Sequence, residues 1–148
     1  ANAGLNNSSS NGVPDGRWCV VDVLSYESTA VAGVHVIGDA SSCGLPKAGH
    51  VANQEAKICA DAIIRITGGQ APDSGPVANS ACYSPITAST ASWLTAVYQY
   101  DASTRKMAIA SNGGVTSGAR ATEAANITNG NFRQMNTWFN TLMGDTFS

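Results

Sequence analysis

The sequence predicts an α+β fold, and three stretches carry that prediction. Ala48, Ala52, Glu55/Ala56, Cys59, Ala62/Ile63 and Ile66 recur at spacings of three and four, a stripe of mostly small residues on one helix face. Ser92–Tyr100 is aromatic and β-branched, turns at Asp101–Thr104 and returns over Arg105–Ala110 as a hairpin or meander. Phe132, Met135, Phe139 and Leu142 repeat at helical spacing from 131 to about 143.

The elements follow in order. Residues 1–17 are rich in Asn, Ser and Gly and read as a flexible lead-in. Trp18–Val23 is a short apolar run suited to a strand, and Gly33–Asp39 is β-branched and bounded by glycine, which predicts a buried strand. Pro46 sits just ahead of the first helix, and Gly68-Gly69 ends it. Gln70–Pro76 reads as a linker, after which Ala78–Ile86 reads as a strand. Asn112-Gly113-Gly114 closes the meander. A helix is predicted over 119–128, starting near Ser117 or Gly118.

Composition narrows the function. The chain has 148 residues, 43% hydrophobic, enough for a core. Charged residues are only 12%, about half the share usual in soluble domains. This balance fits an extracytoplasmic setting. The net charge of −2, with no cluster of Lys and Arg, excludes a strongly basic nucleic-acid binder. No apolar run is long enough for a membrane span or a signal-peptide core. The chain begins with Ala1 rather than Met, which reads as a processed protein or part of a larger one. Cys19, Cys43, Cys59 and Cys82 lack CxxC spacing and offer no zinc pattern beside His35 and His50. Cys59 on the stripe and Cys19 beside Trp18 read as structural, and His35 reads as a satisfied sheet histidine.

The segment that carries chemistry is Val36-Ile37-Gly38-Asp39-Ala40, followed by Lys47-Ala48-Gly49-His50 at a helix start. A strand ending in Gly-Asp puts a carboxylate at the carboxyl edge of a sheet, where α/β folds bind ligands. Asp39 there can accept hydrogen bonds from sugar or ribityl hydroxyls. The helix start offers free N–H groups and the positive end of a dipole. On the dipeptide alone, a simple strand-to-loop turn is the better account.

Longer strings add to this. Trp18-Cys19-Val20-Val21-Asp22, Tyr26-Glu27-Ser28, Ile37-Gly38-Asp39-Ala40 and Pro46-Lys47-Ala48-Gly49 occur in order. Asn79-Ser80-Ala81-Cys82-Tyr83-Ser84 follows, then Trp138-Phe139 and Asp145-Thr146-Phe147. Together they resemble the flavoprotein subunit of flavocytochrome c sulfide dehydrogenase over nearly all of residues 16–148. That family carries Trp-Cys-Pro-Val-Asp, Phe-Glu-Ser, Ile-Gly-Asp-Ala, Pro-Lys-Ser-Gly/Ala, Asn-Thr-Cys-Tyr-Ser and a terminal Asp-x-Phe-Gly. Val20, Tyr26, Ala48, His50 and Ser148 depart from its pattern, His50 replacing Tyr or Phe. No Gly-x-Gly-x-x-Gly occurs anywhere in the chain.

The resemblance implies the closing strand and helix of an FAD-binding disulfide-reductase-type α/β domain over 1–72. A C-terminal flavin-binding and interface domain, with a β-meander and C-terminal helices, would span 73–148. It implies an oxidoreductase that passes electrons from sulfide through FAD to a haem c partner subunit, in the periplasm. Cys82 would be catalytic, as half of a redox-active disulfide. Gly38, Asp39, Ala40, Lys47, Ala48, Gly49 and His50 would bind cofactor, and no metal site is implied. The chain would be the C-terminal third of such a flavoprotein, inactive when isolated, with a core of its own only over 77–148. Residues 1–70 would then need the rest of the protein, a dimer mate or a swapped partner to be ordered. Two alternatives stand beside this: a relative such as sulfide:quinone oxidoreductase, and a non-catalytic assembly module. The first is weakened because Arg133 is the one cation of the last helix.

Overall fold

A computed structural model describes residues 4–10, 12–111, 114–115 and 119–147. The lead-in folds: β1 (Ser9–Ser10) and β2 (Val13–Pro14) form an antiparallel ribbon. Ser8 is buried and organises it. Its hydroxyl donates to Asp15 Oδ1 and accepts the N–H groups of Arg17 and Trp18. Asn7 Oδ1 accepts the Val20 N–H at 2.8 Å. The polar composition that suggested flexibility serves instead as side-chain partners for the backbone.

β3 (Cys19–Asp22) is central in a three-stranded sheet, antiparallel to β4 (Glu27–Ser28) and parallel to β5 (Ser41–Ser42). The strand predicted over Gly33–Asp39 does not form. His35 makes an isolated bridge to Glu27, Ile37 is exposed, and Gly38–Ala40 is a 3-10 turn. The cause is the shortness of its partner: β4 is two residues long, and its free edge gives the segment one bridge, with Ser28 N–H donating to Val34 O and Val36 N–H to Tyr26 O. Gly38 takes φ +70°, which favours glycine at the head of this turn.

α1 (Gly49–Thr67) matches the small-residue stripe and ends at Gly68. Val51, Glu55, Cys59 and Ala62 are its buried residues. After the linker, β6 (Val77–Pro85) pairs antiparallel with β7 (Ala91–Asp101), and β7 with β8 (Lys106–Ser111). At the β7–β8 turn the Asp101 carboxylate accepts from Ser103 and Thr104. β9 (Gly114–Val115) pairs with β8. The Asn112-Gly113 part of the expected stop, and the expected helix start at Ser117 or Gly118, lie outside the described residues.

Within 119–128 there is no helix but β10 (Thr122–Glu123), paired with Leu94 and Thr95 of β7. The reason is hydrogen-bond accounting. β8 reaches only Tyr98–Asp101 of β7, so the backbone of residues 91–95 needs other partners. Residues 122–128 supply them, with Ala124 donating to Trp93 and Thr128 exchanging bonds with Ala91. The Thr128 hydroxyl then accepts the Asn131 N–H and caps α2 (Asn129–Phe147), four residues longer than the periodicity predicts at its C-terminal end.

The core crosses the linker, contrary to the expectation of a core over 77–148 alone. Cys19, Val21, Val23, Tyr26, Cys43, Leu45, Val51 and Cys59 pack with Ala78, Tyr98 and Met107. Cys43 O accepts the Met107 N–H at 3.2 Å, and the loop comes so close that a Cβ on Gly44 would lie 2.8 Å from Met107 O. α1 covers β6 in place of a parallel sheet, and α2 lies on β7. The architecture is α+β, and among the described residues no helix is long and apolar enough to cross a membrane.

Candidate functional site

The N-terminus of α1 is where the predicted residues meet. Ala48 is its N-cap with no side-chain cap, and no acidic residue lies in the first turn. Its first-turn N–H groups thus have no capping side chain of their own. Gly49 is exposed, with open space where a Cβ would be. Lys47 Nζ donates to Ser41 O at 2.7 Å and lies 5.1 Å from the Trp18 ring centroid, so its charge is held beside the sheet.

The Gly38–Ala40 turn flanks this end. Gly38 N–H donates to Glu55 Oε2 at 2.5 Å, and Ser41 Oγ donates to Gly38 O at 2.9 Å. Cys43 Sγ donates to Glu55 Oε1 at 3.2 Å. Asp39 and Ala40 are exposed on the outer side of the turn. Glu55 is 2% exposed, and burial raises its pKa above the usual carboxylate range while the bonds from Cys43 and Gly38 act against it. Burial likewise raises the Cys43 thiol and the Tyr26 phenol. The fully buried Tyr26 hydroxyl lies against this group without a hydrogen bond of good geometry.

Sequence reasoning did not bring this cluster together. Its signal was the one acid, Glu55, in a stripe of small residues.

The other flank is β6. His50 Nδ1 accepts the Ala81 N–H at 3.1 Å. Its ring meets Trp138 of α2 edge-on at 5.6 Å, and Tyr83 lies 5.2 Å from the same indole. Burial lowers the His50 pKa, Lys57 adds to this and Asp145 opposes it. Lys57 and Asp145 pair at 2.6 Å, and Asn53 donates to Thr146, so α2 is tied across the start of α1.

Cys82 follows Ala81. Strand alternation puts its side chain on the face opposite Tyr83, across from Leu94. It is exposed, whereas Cys19, Cys43 and Cys59 are buried, and all four are free thiols. The structure thus brings Gly38 and Asp39, Lys47–His50 and the Cys82 strand around one helix end. His35 remains structural, its Nδ1 at 2.8 Å from Ser25 O. Among the described residues no cluster of His, Cys, Asp or Glu could hold a metal ion.

Beside this end, α1 and α2 leave an open groove of about 580 Å³, lined by Gly49, Ala52, Ala56, Ala60, Leu142 and Phe147 among others. Residues 74–147, half of the chain, match the family described as flavocytochrome c sulphide dehydrogenase, flavin-binding.

Proposed function

Because this chain belongs to the flavocytochrome c sulphide dehydrogenase flavin-binding family, we propose that it is the C-terminal part of an FAD-dependent sulfide dehydrogenase that delivers electrons to a cytochrome c. Its role in a flavin-linked oxidoreductase follows from the family. The finer reading adds sulfide as substrate, haem c on a partner subunit and a periplasmic location. In it, residues 1–72 close a dinucleotide-binding fold and residues 73–148 form the flavin-binding and interface domain.

One observation carries the reading. The exposed Cys82 sits one residue from Ala81, which is bonded to the first turn of α1. The donor set suits the ring and ribityl end of a flavin. The first-turn N–H groups of α1, from Gly49 onward, suit a carbonyl edge and stabilise negative charge on a reduced ring. The Asp39 carboxylate suits ribityl hydroxyls, and Gly38 lets the backbone approach closely. The pyrophosphate end has no such set here, since the chain lacks Gly-x-Gly-x-x-Gly.

A bound flavin supplies two-electron acceptance and one-electron release. The work of this chain is to hold sulfur. Cys82 would carry sulfide-derived sulfur as a persulfide: the thiol and hydrosulfide give Cys–S–S⁻ with two protons and two electrons, and those electrons are the pair that the flavin, when bound, would accept. Glu55, Ser41 and Cys43 keep the Gly38–Asp39 turn on α1, and His50 keeps β6 beside it. Sulfide-dependent reduction of cytochrome c by the full flavoprotein, compared with Cys82→Ser, tests the assignment.

A further inference from the structure

Among the described residues β6 is an edge strand, bonded to β7 on one side. On such a strand, alternate residues point both backbone groups away from the ladder. Ala81 is one of these, and its N–H goes to His50 Nδ1. Cys82, next along, points its backbone groups toward Leu94 on β7. The peptide that carries the Cys82 thiol is therefore held from two sides, by β7 and by one imidazole.

That imidazole is well placed. Its acceptor role puts the ring proton on Nε2. Trp138 packs edge-on against it, and the indole also packs on Tyr83, the residue after Cys82. The charged groups facing it are Lys57 from α1 and Asp145 from α2, which pair with each other at 2.6 Å. Tyr83 is the titratable neighbour on the β6 side. A histidinium has N–H on both nitrogens and cannot accept from Ala81, so protonation removes the bond outright.

We propose that His50 is a positioning residue for Cys82: its neutral Nδ1 clamps β6 at Ala81, and protonation opens the clamp and frees the strand that presents the thiol. The relevance to catalysis rests on the proposed role of Cys82, while the clamp itself is a property of this chain. Burial and Lys57 favour the neutral ring and so keep the clamp closed to pH values below 6.5.

The test follows the Ala81 amide and the Cys82 thiol in the full 148-residue chain, without flavin, so its failure is separate from that of the enzymatic reading. His50 is titrated by NMR, Ala81 hydrogen exchange is measured on both sides of the midpoint, and Cys82 alkylation by iodoacetamide is followed over the same range. Ala81 exchange, corrected for intrinsic rate, is expected to rise about tenfold below a midpoint under 6.5. The Cys82 rate, corrected for thiolate fraction, is expected to change at the same midpoint.

In His50→Phe, Ala81 is expected to exchange fast at every pH and the Cys82 step to vanish. His50→Gln, which keeps a neutral acceptor, is expected to restore protection without pH dependence. Equal Ala81 protection on both sides of the wild-type midpoint would overturn the proposal, as would a Cys82 step that persists in His50→Phe.

Discussion

Gly38 and Glu55 are joined across 17 residues by a 2.5 Å hydrogen bond from the Gly38 N–H to Oε2. This bond fixes the Asp39 turn to the second turn of α1, and the carboxylate that makes it is buried. A buried carboxylate favours its protonated form, and that sets the first prediction.

With its pKa raised in the folded state, Glu55 binds more proton there than in the unfolded chain, whose value is near 4.5. Its contribution is fully present below 4.5 and declines as pH rises toward the folded pKa. Glu55→Gln keeps an acceptor for Gly38 and is expected to abolish that decline. Glu55→Ala strands the Gly38 donor and is expected to cost about 1–3 kcal/mol. Urea unfolding across pH 4 to 8 (roughly the window in question) reads both. A Gln variant with the wild-type slope would exclude Glu55 as its source.

Tyr26 carries a buried hydroxyl with no good partner. Deleting an unsatisfied buried polar atom removes a penalty rather than a bond. Tyr26→Phe is therefore expected to leave stability unchanged or to raise it by up to about 1 kcal/mol. Thermal melting checks this, and a clear loss would show that the hydroxyl is hydrogen-bonded in solution.

Cys82 is exposed and the other three cysteines are buried, with burial raising the Cys43 and Cys59 thiols. Iodoacetamide is expected to label Cys82 in the native chain, and the others only after denaturation. Peptide mass mapping reads the sites. Native labelling of Cys43 or Cys59 at the Cys82 rate would contradict the packing around Tyr26.

The proposed site has donors for the ring end of a flavin, and the sequence has no Gly-x-Gly-x-x-Gly. Purified alone, it is expected to carry no flavin absorbance and to leave the fluorescence of added FAD unquenched. A yellow preparation would show that the α1 end suffices for binding.

The long elements were legible in the sequence because their periodicity is their own. The stripe from Ala48 to Ile66, the aromatic run around Trp93 and the repeat from Phe132 to Leu142 all formed as read. Elements that depend on neighbours were not legible. Gly33–Asp39 has strand composition but meets only the two-residue edge of β4, and 119–128 is drawn into strand pairing by the start of β7, which β8 does not reach.

The position of Gly38, Asp39 and Lys47–His50 around the α1 start was readable because helix starts and Gly-Asp turns have local signals, while their part in binding a cofactor is a proposal. Glu55, Tyr26 and Cys43 lie far apart in sequence, and only packing brings them together. His50 could be read as a neighbour of the site but not as the partner of Ala81.

The central claim is that Cys82, on the strand that Ala81 bonds to the first turn of α1, takes part in flavin-linked sulfide oxidation. Its most direct test is steady-state cytochrome c reduction by sulfide in the full flavoprotein, wild type against Cys82→Ser, with flavin content matched. The account predicts that the variant keeps its flavin and loses turnover by at least about a hundredfold, the scale expected when a nucleophile is removed. Unchanged sulfide turnover in a flavin-loaded variant would contradict it.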